Sequence, residues 1–234
     1  MSGEKLPSRS TRAEIDVFLR QVASTPVRNS DRGGRLLFAL DATASREPTW
    51  DSARQIQNEM FSETVALGGL SVQLCYYRGF NEFVTSPWLN DSGALLERMN
   101  AVHCMGGSTQ IERVLSHARQ EAQRCRISAL VFIGDCMEEE VERLCQLAGE
   151  LGILGVPVFV FQEGYDALAE SAFCQIAKLT NGAYCRFDSD SAEQLRDLLS
   201  AVAVYAAGGQ RALEDFTGRR GGIARQLSHQ TRED

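Results

Sequence analysis

Strand-length segments, several of them wholly apolar, mostly alternate with stretches whose apolar residues recur at helical spacing, and this alternation constrains the fold more than any other feature of the chain. Leu36-Leu37-Phe38-Ala39-Leu40 is apolar throughout, as expected of a strand buried on both faces. Further strands are expected at 71–77, 82–86, 129–133, 157–161 and 183–187. Between them lie helical patterns. Trp50, Ala53, Ile56, Met60, Thr64 and Leu67 mark one face, and Leu95, Leu96, Met99 and Val102 another. Ile111, Val114, Leu115, Ala118 and Ala122 follow, then Val141, Leu144, Leu147 and Leu151, then 168–179, and last Leu195, Leu198, Leu199, Val202 and Tyr205.

Strands alternating with helices imply parallel crossovers, so the sheet is expected to be mostly parallel. The connection Arg78 to Asn81 is too short for a crossover, so the strands on either side of it must be antiparallel. The expected fold class is α/β: a doubly wound, mostly parallel six-stranded sheet with one antiparallel edge strand and helices on both faces. Residues 1–33 are read as an N-terminal tail with a short amphipathic helix carrying Ile15, Phe18, Leu19 and Val22. Residues 34–207 form the domain. Residues 208–234, rich in Gly, Arg and Gln, are read as a flexible C-terminal tail.

Composition narrows the function classes. The 234 residues carry a formal net charge of -7, which argues against nucleic acid or an anionic membrane as a partner. No apolar run reaches the ~20 residues that span a bilayer. The N-terminus lacks the apolar core of a secretory signal. Seven cysteines, without Cys-x-x-Cys spacing and mostly within apolar stretches, read as reduced thiols, and the expected location is cytoplasmic.

Three loops carry the oxygen chemistry. Asp41-Ala42-Thr43-Ala44-Ser45 follows the first buried strand, Gly106-Gly107-Ser108-Thr109 precedes a helix, and Gly134-Asp135 follows the strand at 129–133. Ligand sites in open α/β sheets lie beyond the carboxyl ends of strands, where the strand order reverses. If the first and fourth strands are neighbours, Asp41 and Asp135 meet there. Two carboxylates so placed repel unless a cation lies between them. An all-oxygen set with two carboxylates suits Mg²⁺, with Mn²⁺ or Ca²⁺ as alternatives.

Asp41-x-Thr43-x-Ser45, then Thr109 in a Gly-rich loop, then Asp135, resembles the metal-ion-dependent adhesion site (MIDAS) of von Willebrand factor A (VWA) domains. The likeness covers about residues 34–206. Thr43 stands where the family's first motif has Ser, Ser108 offers a second hydroxyl beside Thr109, and Gly134-Asp135-Cys136 stands where Thr-Asp-Gly is common. The resemblance implies that Thr43, Ser45 and Thr109 offer hydroxyls to the ion and that Asp41 and Asp135 supply charge. It also implies a protein partner that reaches the ion through an acidic side chain, within a larger intracellular assembly.

Other readings stand beside this one. Ser45 or Thr49, Ser108 or Thr109, and Asp135 all sit where a helix N-cap is expected. Glu138, Glu139 and Glu140 are read as the acidic first turn of a helix. Cys136 is read as an ordinary small residue and Trp50 as core packing. His103-Cys104 has no second pair to complete a zinc site. A Mg²⁺-dependent phosphohydrolase is the alternative function, because such enzymes also place an Asp after a first strand. Thr43 stands where their second Asp would be, so the lead reading is not an enzyme. Relief of repulsion makes Asp41→Ala expected to leave the metal-free fold intact.

Overall fold

The computed structural model describes residues 10–25, 34–49, 70–188, 195–208, 212, 213 and 215. The expected helix from Trp50 to Leu67 and most of the expected tails lie outside the described residues. In chain order the elements are α1 (Arg12–Ser24), β1 (Gly34–Asp41), a 3-10 turn (Ala44–Thr49), β2 (Leu70–Arg78), β3 (Glu82–Thr85), α2 (Ser92–Asn100), α3 (Ile111–Arg124), β4 (Ala129–Gly134), α4 (Val141–Leu154), β5 (Val158–Glu163), α5 (Ala167–Leu179) and β6 (Ala183–Phe187). Residues 195–208 are helical and are called α6.

The strands form one six-stranded sheet in the order β3-β2-β1-β4-β5-β6. β1 pairs in parallel with both β2 and β4, β5 extends the parallel set to β6, and β3 alone is antiparallel, on β2. This is the arrangement expected from the sequence. The order reverses between β1 and β4, so the crevice beyond their carboxyl ends is the switch point of the fold.

The unbroken apolar run of β1 is explained by two cores. Leu36, Phe38 and Leu40 pack with residues of α1, α2 and α6 on one face. Leu37 and Ala39 pack with α3, α4 and α5 on the other. β4 divides in the same way, with Ala129, Val131 and Ile133 in the first core and Leu130 and Phe132 in the second. Alternate side chains of a strand point to opposite faces, so a strand covered twice has no polar position to spare.

Local signals fix several helix starts. Thr11 and Glu14 form a reciprocal capping box at α1. The Asp91 and Asp166 side chains accept from Ala94 N and Ala169 N at the starts of α2 and α5. α1 is tied into the domain: Phe18 and Val22 are fully buried, and Phe18 lies 5.3 Å, ring to ring, from Phe161. Leu213 is also buried in the core shared by α1, α2 and α6.

Candidate metal centre

β1 ends on Asp41 and β4 on Gly134, and their pairing, Leu40 opposite Ile133, carries Asp41 and Asp135 out of the sheet side by side. Ligand atoms of Asp41, Asp135 and Cys136 lie within 4.8 Å of one another. Asp41 has no exposed surface. Its Oδ1 accepts from the Thr43 N–H at 2.8 Å and its Oδ2 from the Tyr77 hydroxyl at 2.9 Å. Burial raises the Asp41 carboxyl above its ordinary value. The charge of Asp135 adds to this, while the Thr43 and Tyr77 hydrogen bonds oppose it.

Asp135 is less well provided. Its Oδ1 is buried and has no hydrogen-bond partner among the described residues. A buried carboxylate oxygen without a donor is costly, and a cation is one way to offset the cost. Beside it, burial and the charges of Asp135 and Asp41 push the Cys136 thiol up to about 12. Cys136, read from the sequence as a bland small residue, therefore joins the carboxylates, as a protonated thiol at neutral pH.

The two hydroxyls of the first loop come together. Thr43 Oγ1 and Ser45 Oγ are 3.1 Å apart, Thr43 being nearly buried and Ser45 exposed. Thr43 also forms an isolated bridge with Met105, whose N–H donates to Ala42 O at 3.0 Å. That bridge seats the Gly-rich loop against the first loop. A second anchor is steric. A Cβ on Gly107 would come within 2.0 Å of the Gly79 carbonyl carbon, so only glycine allows this approach. Gly79 itself turns with φ +59°, between β2 and β3.

The Thr109 hydroxyl, expected to offer oxygen to an ion, is already engaged with the loop before α4. Its Oγ1 donates to Glu139 Oε2 at 2.6 Å and accepts from the Glu138 N–H at 2.9 Å. One lone pair remains. Glu138 and Glu139 do not open a helix: α4 starts at Val141 with Glu140 as its N-cap. Instead, Glu139 Oε1 accepts from the Ile111 N–H and from the Glu112 N–H at 3.3 Å, capping α3 from another loop. The reason is local. Gln110, the N-cap of α3, makes no side-chain cap, and the first N–H groups of a helix need a partner.

One residue of the crevice gave no sequence signal. Arg46, in the 3-10 turn after β1, is 1% exposed and pairs with Glu163 at the end of β5. Its guanidinium lies 5.9 Å from the ring centroid of Phe187 on β6. An isolated Arg in a polar loop has no period and no partner spacing, so nothing in the sequence could have flagged it.

Two converging carboxylates, one with an unpartnered buried oxygen, beside a pair of hydroxyls are donors that suit a hard divalent ion, and the protonated Cys136 thiol of the same cluster is not one. Among the described residues no helix is long and apolar enough to cross a membrane.

No family model and no curated protein matches the sequence. Solved structures match by shape. The VWA domain of SpRpn10 aligns with TM-score 0.57 at 13% identity, covering 76% of this chain and 97% of that one. A von Willebrand factor type A protein from Catenulispora acidiphila aligns with TM-score 0.60 at 14% identity, covering 73% of this chain and 43% of that one. An aerotolerance-related membrane protein from Bacteroides fragilis aligns with TM-score 0.56 at 18% identity, covering 72% and 98%. Identities this low establish the fold alone, which is that of VWA domains.

Proposed function

With that fold as premise, we propose that the chain is a metal-dependent protein-interaction module. It would hold Mg²⁺ or Mn²⁺ through Asp41, Thr43, Ser45 and Asp135, with the remaining lone pair of Thr109 as a further donor. The observation that carries this reading is the buried Asp135 Oδ1, unpartnered and within the Asp41 cluster. When bound, the ion would attract an anionic oxygen, such as a partner's carboxylate. The chain's own residues set the stage: Tyr77 and the Thr43 N–H orient Asp41, and Glu139 holds the Thr109 loop.

The rim suits a protein partner. Phe80 is 83% exposed, next to Gly79, whose N–H donates to Met105 O at 3.4 Å. Met105 is itself exposed and bridges Thr43. An aromatic and a methionine beside an ion site are the residue types that interfaces favour. The human COPII-coat protein Sec24c also shares the fold, at 12% identity and TM-score 0.56. A place in a larger intracellular assembly is part of the proposal.

A phosphohydrolase fits less well. Both Asp41 oxygens already accept hydrogen bonds and the residue has no exposed surface, so it is poorly placed to attack a phosphate. The test is calorimetric titration with Mn²⁺, alongside thermal unfolding with and without Mg²⁺. Wild type should bind and melt higher with metal, Asp135→Asn should lose both effects, and a generic phosphate ester should not turn over. Saturating metal that gives neither heat nor a shift of midpoint defeats the reading.

A further inference from the structure

The crevice already contains a cation. Arg46 leaves the chain just after β1, yet its guanidinium pairs with Glu163 on β5 and lies over Phe187 on β6. β4 runs between β1 and β5, so the side chain must pass over the carboxyl end of β4. Asp135 is there. Gly134 pairs with Gln162, so Asp135 and Glu163, the next residue of each strand, leave the sheet at the same level. Glu163 in turn pairs with Phe187. Arg46 is 1% exposed, and a buried guanidinium, which stays charged at ordinary pH, is costly without anions around it. The charges of Asp41 and Asp135 also act on the guanidinium, against the effect of its burial.

We infer that Arg46 is the resident countercharge of the Asp41–Asp135 pair, held across β4 by Glu163, and that a divalent ion entering the crevice must compete with it. The second half rests on the metal reading above; the first half does not. Arg46 is thus a positioning and affinity-setting residue that keeps the metal-free carboxylates apart from one another's charge. The guanidinium pairs with Glu163, while Asp135 Oδ1 is buried without a hydrogen-bond donor. Divalent affinity is therefore set low by construction, because each ion bound adds positive charge beside a fixed one.

Two measurements decide this. The first is a mutant cycle on metal-free protein, read as thermal midpoints in EDTA. Arg46→Gln alone changes the net charge of the crevice, so Arg46→Gln/Glu163→Gln serves as the matched variant, removing both charges of the pair. Its loss of midpoint should be smaller in an Asp135→Asn background by at least about 3 °C, since the charge that Arg46 balances is then gone. Additive midpoints overturn the countercharge role. The second is Mn²⁺ titration. Arg46→Gln, or the matched variant if the single one does not fold, should bind on the order of tenfold tighter than wild type. Equal or weaker binding overturns the competition. If no variant takes up Mn²⁺ while the cycle still shows coupling, the metal reading of the preceding section fails and Arg46 stands as the crevice's own cation.

Discussion

Asp41 shows how a residue's partners can reverse a prediction made from charge alone. Repulsion from Asp135 suggests that Asp41→Ala would be harmless to the metal-free fold. In the structure that carboxylate accepts from the fully buried Tyr77 hydroxyl and from the Thr43 N–H. Removing it strands both donors, and an unsatisfied buried donor costs ~1–3 kcal/mol. Asp41→Ala is therefore expected to destabilise the protein by roughly 2–4 kcal/mol, read from urea unfolding. An unchanged midpoint would show that repulsion dominates after all. The pH dependence has a definite sign. Burial, followed by its other influences, leaves the Asp41 carboxyl above its ordinary 3.8. The folded state then holds this proton more tightly than the unfolded chain does. This contribution to stability is present below the unfolded value and is lost as pH rises from there through the folded one. Metal-free wild type should lose stability as pH rises from about 3.8 through the raised folded-state value, and Asp41→Asn should flatten the slope. Parallel pH profiles for the two proteins would remove Asp41 as the cause.

At the scale of elements, the carboxylate of Glu139 joins two loops and a helix. It receives the Thr109 hydroxyl and the first N–H groups of α3 at once. Glu139→Ala is expected to cost about 1–2 kcal/mol, and Glu139→Gln less, because an amide oxygen can still accept. Equal losses would mean that the charge, not the acceptor, matters at this helix end. The same loops mark the boundary of what sequence can tell. β1, β4 and β5 were legible because burial on two faces forces continuous apolar runs, and the Arg78–Asn81 connection dictated the antiparallel pair. Asp41 and Asp135 were legible because each directly follows such a run. The partnership of Thr109 with Glu139 spans 30 positions of chain and has no periodic signature. Glu163 was hidden for a related reason: its strand was expected to stop at 161, but β5 continues through the polar pair Gln162-Glu163. Polar residues at strand ends look like loop until a partner such as Arg46 is seen.

Across the whole molecule, two cores of unequal origin clamp the sheet. One core includes Phe18 and Val22 from α1, and Leu213 beyond α6, at opposite ends of the chain. Leu213 is 1% exposed, although residues from 208 onward looked like tail. Leu213→Ala should cost ~2–4 kcal/mol in chemical unfolding, a typical loss for a buried leucine. A loss below about 0.5 kcal/mol would place that side chain outside the cooperative core.

The first described residues also pair with the edge of the sheet. Ser10 N–H donates to Arg186 O at 3.0 Å, and Arg186 N–H donates to Ser10 Oγ at 2.9 Å, along the outer side of β6. The strand at the opposite edge, β3, is only four residues long. Unpaired strand edges invite edge-to-edge polymerisation, and short or covered edges discourage it. A chain trimmed of its first 24 residues would lose α1 and uncover β6 together, leaving an open template next to a weakened core. Such a protein would be expected to form insoluble fibrous or amorphous assemblies even where its remaining strands still fold, so the leading segment acts as a guard on the protein's solubility.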